Sequence, residues 1–270
     1  MPSHSNNRPF WRAPSRSVCA VGALRPEASM QDIVLDSGTV RLRWLSLALS
    51  RRADLERWQA TLGPRELDRA QRLHFSVDRR AYVAAHALAR SMVAEVSGVT
   101  PAAVRFSVGP NGKPQLVVVP GAASLQFNIS HSRTHVVCGV ALSDELGVDI
   151  ESADHAEVMA LTERYFAPSE VELMRQAALD RRGLLFARLW TLKEAFVKAT
   201  GDGLRCPLDK FAFTLDPIAI RFQWGSQSPG GDWQFAQLCP GHGQVIAIAV
   251  RRPVERPILL DAKEIHPSLL

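Results

Sequence analysis

Gly147-Val148-Asp149-Ile150-Glu151 alternates polar and apolar residues. On a β-strand, residues two apart share a face, so Asp149 and Glu151 project together while Val148 and Ile150 pack the other way. Two carboxylates held side by side repel each other, and a divalent cation relieves that repulsion. Hard oxygen donors of this kind suit magnesium, which takes few protein ligands and keeps places for phosphate oxygens. A lone Asp-x-Glu is more often a solvated strand edge, so its weight depends on what stands around it.

Downstream, residues 190–198 read Trp-Thr-Leu-Lys-Glu-Ala-Phe-Val-Lys. Trp190, Glu194 and Lys198 fall on one helical line, an acid and a base one turn apart beside an aromatic ring. As a surface ion pair this is worth only about 0.3–0.5 kcal/mol, and Trp190 by itself reads as core. Upstream stands Phe127-Asn128-Ile129-Ser130-His131-Ser132. Adjacent strand residues point apart, so Ser130 and His131 do not pair as nucleophile and base, and no G-x-S-x-G elbow is present. They read as hydrogen-bond donors to an anionic ligand. Asn111-Gly112-Lys113-Pro114 adds a turn with a cation at its tip.

Around these stretches the chain divides into three parts. Residues 1–30 are rich in Ser, Arg, Pro and Asn without apolar periodicity, and read as a disordered or dispensable segment, with Met30 as an alternative start. Residues 31–145 form a first lobe, with a strand at 39–47 and basic helices across 51–90. Its long helix is capped by Ser76 or Asp78, runs to residue 96 and stops at Gly98; strands follow at 106–108, 116–119, 125–130 and 136–142. Residues 146–270 form a second lobe, with helices at 157–166, 169–179 and 182–200, the last stopped by Gly201. Strands follow at 211–215, 218–224, 233–238 and 245–250. Helices followed by antiparallel strands in each half predict an α+β fold of two similar lobes, although the halves show no clear sequence repeat.

Composition removes several classes. The formal charge is +5, but Arg8, Arg12, Arg16 and Arg25 put +4 of it in residues 1–26, leaving +1 for the rest. A nucleic-acid partner is therefore not expected. No apolar run approaches the roughly 18 residues that span a bilayer, and the start lacks a secretory signal. Cys19, Cys138, Cys206 and Cys239 have no CxxC or metal spacing, which predicts free thiols in a reducing cytoplasm.

Together these stretches resemble the Sfp-type 4′-phosphopantetheinyl transferases. Residues 147–151 match that family's G-[IV]-D-[IVL]-E strand, and residues 190–198 its W-[ST]-x-K-E-[AS]-x-x-K helix. Residues 127–132 are similar to its F-N-[IL]-S-H-[ST] loop, and Gly112-Lys113-Pro114 to its G-K-P turn, all in the same order. The resemblance runs from about residue 64 to 213 and takes in Gly201-Asp202-Gly203-Leu204 and Pro207-Leu208. It implies two α/β lobes in a pseudo-two-fold arrangement and a magnesium-dependent enzyme. Such enzymes move 4′-phosphopantetheine from coenzyme A to a serine of an acyl or peptidyl carrier domain, releasing adenosine 3′,5′-bisphosphate.

By the same resemblance Asp149, Glu151 and Glu194 hold Mg2+, and Glu194 or a metal-bound water takes the serine proton. Lys198 neutralises charge at the pyrophosphate. Ser130 and His131 meet the phosphates of coenzyme A, and Gly112, Lys113 and Pro114 line its adenine side. Arg69 and Arg80 stand near the 3′-phosphate, with Arg72 and Arg79 as close competitors. A cytoplasmic monomer serving carriers of secondary metabolism is expected. A metal-dependent nuclease or phosphodiesterase, and a non-catalytic carrier-binding protein on the same fold, are the competing readings.

Overall fold

A computed structural model describes residues 35–109, 113–117, 124–154, 157–203, 206–223, 232–241 and 243–270. Residues 1–34, Cys19 and Met30 among them, lie outside this set. Strand β1 (Thr39–Ser46) turns Val40 and Leu42 to one side and Leu45 to the other, and all three are fully buried. A strand apolar on both faces needs cover on both, and the chain supplies it with helices on one side and a second sheet on the other.

The first half continues with α1 (Arg52–Thr61), α2 (Pro64–Gln71) and α3 (Ser76–Ser97). A short 3-10 turn at Pro101–Ala103 and strands β2 (Phe106–Val108), β3 (Pro114–Leu116), β4 (Leu125–His131) and β5 (His135–Leu142) complete it. The second half repeats that order: β6 (Leu146–Ser152), α4 (Val158–Tyr165), α5 (Pro168–Gln176) and α6 (Leu179–Thr200). After a 3-10 turn at Leu208–Lys210 come β7 (Phe211–Leu215), β8 (Ile218–Phe222), β9 (Trp233–Gly241) and β10 (Gln244–Arg251). In each half the first strand pairs antiparallel with the last, which pairs antiparallel with the one before it. One core lies under α1–α3, one under α6, and a third between the sheets, where Val40, Leu42 and Val137 meet Val148, Ile150 and Ile248.

The duplication reaches individual residues. Helices α3 and α6 are each 22 residues long and end on left-handed glycines, Gly98 (φ 65°) and Gly201 (φ 77°). Glu66 and Glu170 occupy the third position of α2 and α5, each accepting the backbone N–H just before its helix. Each meets a buried cation eight residues before the stopping glycine. Arg90 donates to Glu66 Oε2 from Nε (2.9 Å) and to the carbonyls of Pro101 and Val104. Lys193 stands 2.8 Å from Glu170 Oε2 and donates to the carbonyls of Leu208 and Phe211. Each cation also lies over a phenylalanine, Phe106 or Phe211.

Three differences from expectation are structural. A strand β11 (Leu259–Glu264) was not foreseen, and it runs parallel beside β1 in the order β11-β1-β5-β4. A lobe boundary that leaves all of 146–270 together therefore does not follow the sheets. Helix α3 does start at Ser76, but its cap residue is Phe75, with no side-chain cap from Ser76 or Asp78. The strand expected at 116–119 meets β3 (Pro114–Leu116) at Leu116, and residues 118 and 119 lie outside the described set.

Burial opposes charge on Glu66, but hydrogen bonds from His86, Arg90 and the Gly63 N–H outweigh it and hold its carboxyl below the ordinary value of 4.5. Its contribution to stability is therefore present above that value and is lost as pH falls through the lower folded one. Arg90→Ala strands Glu66 without its cation and is expected to lower unfolding stability in urea by about 3–5 kcal/mol. Replacing both partners (Glu66→Leu with Arg90→Met) removes the stranded charge and is expected to flatten the acid dependence, while the Gly63 N–H and the Pro101 and Val104 carbonyls still lose their partners.

Candidate active site

Strand β6 and helix α6 build the site, and two glycines set how closely they meet. A Cβ on Gly147 would lie 1.9 Å from the Ala195 carbonyl oxygen and 2.5 Å from the Ala199 nitrogen. Near the other end of the crossing, a Cβ on Gly183 would lie 2.1 Å from the Ala153 carbonyl oxygen. Backbone-to-backbone contact is possible only because neither residue carries a side chain. Glu194 and Lys198 flank the Gly147 contact on α6, and it brings them over Asp149.

Asp149 is buried. Its Oδ1 lies 2.6 Å from the Lys198 Nζ and accepts a 2.7 Å hydrogen bond from the Ser130 hydroxyl. Lys198 also donates to Ser130 Oγ at 2.9 Å, closing a triangle. Ser130 reaches this place because β4 is tied to β6, the Val148 N–H donating to Asn128 Oδ1 at 2.8 Å. Asn128 thus acquires a positioning role, one that its letter in the motif did not specify. Glu151 is half-buried further along β6, with its Oε1 accepting the Ser152 N–H. Burial first, then the charges of Asp149 and Glu151, push the Glu194 carboxyl above its ordinary range, with Lys198 opposing. Three carboxylates thus share one field with a single ammonium.

His131 ends β4 and lines a cleft of about 1010 Å3 between the lobes, together with Asp78, Ser132, Glu151, Gln244 and Glu264. Its ring edge meets solvent, yet desolvation and the Lys198 charge depress the imidazole, with Asp78 and Asp149 acting in the other direction. Arg69 is exposed on α2 and Arg80 half-buried on α3, neither paired with a carboxylate among the described residues. Arg72 is taken by Asp68 at 2.9 Å and Arg79 by the Leu73 carbonyl at 3.0 Å, which separates the four arginines.

Lys113 is engaged within the protein. Its ammonium donates to the carbonyls of Lys198 (2.6 Å) and Leu146 (3.3 Å), and burial pushes its pKa down. It therefore caps the end of α6 from the other lobe. Pro114 sits beside it on a second cavity of about 400 Å3, and Gly112 lies outside the described residues. Lys193, the other lysine of the helix motif, is fully buried in its strut and points away from the cleft groups.

Among the described residues no three acid, histidine or cysteine side chains stand at metal-binding spacing. The chemistry of the donor set still suits a divalent ion: hard carboxylate oxygens, crowded, with one cation among them.

Residues 145–249 match the family model of the 4′-phosphopantetheinyl transferase superfamily, and residues 50–142 that of the 4′-phosphopantetheinyl transferase N-terminal region. The chain is 33% identical over 199 residues to the 4′-phosphopantetheinyl transferase HetI of Nostoc sp., covering 73% of this chain and 82% of that protein. It belongs to the Sfp-type 4′-phosphopantetheinyl transferase family. To the 4′-phosphopantetheinyl transferase Sfp of Bacillus subtilis it is 30% identical over 160 residues, 59% of this chain and 69% of that one. To the human L-aminoadipate-semialdehyde dehydrogenase-phosphopantetheinyl transferase it is 26% identical over 212 residues, 72% and 68% of the two chains. The two family matches meet between β5 and β6, where one half of the duplicated fold gives way to the other. No helix among the described residues of this transferase is long and apolar enough to cross a membrane.

Gly147→Ala is expected to push α6 off β6, costing about 1–3 kcal/mol of stability and lowering kcat more than KM for coenzyme A, read by urea unfolding and steady-state kinetics. Lys113→Met is expected to destabilise by about 1–3 kcal/mol while leaving the salt dependence of coenzyme A binding unchanged. A phosphate-binding lysine would alter that dependence.

Proposed function

We propose that this chain transfers the 4′-phosphopantetheine group of coenzyme A to a serine hydroxyl of an apo acyl or peptidyl carrier domain. The observation that carries this reading is Asp149, Ser130, Lys198 and Glu194 converging on the lobe interface of a family transferase. The serine oxygen forms a bond to the phosphorus bearing the pantetheine arm. The pyrophosphate P–O bond breaks, and adenosine 3′,5′-bisphosphate leaves with the electron pair.

Asp149, Glu194 and Glu151 would hold a magnesium ion, which when bound neutralises the pyrophosphate and polarises the reacting phosphoryl group. Glu194, or a water on the metal, would take the serine proton. Lys198 supplies a positive charge for the departing bisphosphate. His131, on the cleft wall, and Ser130, beside Asp149, would orient the phosphates, and Arg69 and Arg80 stand for the 3′-phosphate. The Gly112–Pro114 turn would line the adenine side.

Family membership displaces the nuclease reading, and the intact acid–lysine set gives no support to a non-catalytic scaffold. A cytoplasmic monomer fits three described cysteines that are all free and a cleft completed within one chain. Carriers of secondary metabolism are the proposed partners.

Glu194→Gln is expected to lower turnover about 10²–10⁴-fold without changing the circular-dichroism melting curve. Chelation is expected to abolish wild-type transfer and added magnesium to restore it. Near-normal rates in Glu194→Gln would remove that residue from the mechanism.

A further inference from the structure

We propose that Lys198 is a place-holding cation that occupies Asp149 in the free enzyme and moves to the pyrophosphate of coenzyme A when that substrate binds. This makes metal binding depend on coenzyme A. The inference rests on the reading that Asp149 is a metal ligand.

The geometry is explicit. The Lys198 ammonium and the Ser130 hydroxyl both sit on Oδ1 of Asp149, at 2.6 and 2.7 Å. A divalent ion must displace the ammonium from that oxygen, or bind the other one and face a positive charge across a single carboxylate. Either way it competes with Lys198. The two partners differ in freedom: the Asp149 side chain is 7% exposed and that of Lys198 is 28% exposed. The carboxylate is fixed in β6, whereas the ammonium, at the end of a flexible four-carbon stem, has an open side.

The duplicated half supplies a contrast. Three residues before its stopping glycine α3 carries Glu95, as α6 carries Lys198, and Glu95 pairs with Arg41 on the first strand of its half at 2.6 Å, with the signs reversed. Arg41 is further held by Asp261, which also binds Arg43. That pair is locked by a second acid. Lys198 has instead the neutral hydroxyl of Ser130 beside Asp149 and feels Glu194, one turn away on α6, only through its charge, so an arriving pyrophosphate meets an ammonium with a single direct carboxylate contact among the described residues. Once the phosphate holds Lys198, Asp149 is free for the metal.

Linkage then requires coenzyme A to tighten metal binding and the metal to tighten coenzyme A binding by one and the same factor, of roughly 5–150-fold for couplings of this kind. Titrating Mn2+ into the full chain with and without coenzyme A, followed by electron paramagnetic resonance, reads this directly. No carrier is present and nothing turns over, and metal held by coenzyme A alone is subtracted. The wild type is expected to bind Mn2+ about tenfold or more tightly with coenzyme A. Lys198→Met is expected to bind it several-fold more tightly than wild type without coenzyme A and no more tightly than wild type with it, so that the coupling falls to the part that direct metal–pyrophosphate contact supplies. Lys198→Gln serves as the second variant if Met perturbs folding. Equal tightening in both states would make the effect one of bulk charge and overturn the proposal, as would unchanged or weaker binding to the coenzyme-free variant. Asp149→Asn reports on the underlying reading: wild-type Mn2+ affinity there would sink the metal assignment itself, whatever Lys198 does.

Discussion

The site depends on the contact between α6 and β6 at Gly147. A hydrogen stands there where a methyl group would meet the Ala195 carbonyl oxygen at 1.9 Å. Small residues continue the close approach, with Ala195 and Ala199 on the helix and Ala247 and Ala249 on the neighbouring strand all buried. Gly183 against Ala153 sets the other end of the crossing. Glu194 and Lys198 reach Asp149 because these backbones touch. A larger residue at either glycine would lift the helix and separate the carboxylates, leaving every functional side chain present but misplaced.

The second lobe carries this chemistry on a frame that the first lobe also uses. Both have a glutamate at the third position of a short helix, a buried cation eight residues before a helix-ending glycine, and an aromatic ring beneath that cation. The frames diverge where the strand meets the end of the long helix. One half has Arg41 with Glu95, fastened by Asp261 from β11; the other has Asp149 with Lys198, joined by the Ser130 hydroxyl. An arginine on the strand repels a metal ion, so the first half keeps the architecture and serves as a wall. β4 of that half nevertheless delivers Ser130 to Asp149, which is why neither lobe alone would form the site.

Much of this was legible in the residues because local signals and tertiary roles coincide. The alternation of Val148-Asp149-Ile150-Glu151 is the alternation of a strand with one face in the intersheet core, and the glycines at 98 and 201 stop their helices as their conformational freedom predicts. Other features were hidden for physical reasons. β11 reads Leu-Leu-Asp-Ala-Lys-Glu, a charged stretch with weak strand propensity, and it is fixed by parallel pairing with a strand some 220 residues earlier and by Arg41 and Arg43 on Asp261. Lys113 reads as a cation at the tip of a turn, and only the packed lobes reveal the two carbonyls it donates to. Glu170 and Lys193 give no sign of their partnership in sequence, standing more than twenty residues apart on different helices. The repeat itself is invisible as identity, since Arg90 and Lys193 share a charge and a place but not a side chain.

Intact-mass measurement of an apo carrier domain incubated with coenzyme A, magnesium and this enzyme tests the account most directly. One added phosphopantetheine on a carrier serine is expected with the wild type, and none with a folded Asp149→Ala variant over the same time. No mass gain on any of several acyl and peptidyl carriers, or an equal gain with Asp149→Ala, would contradict it.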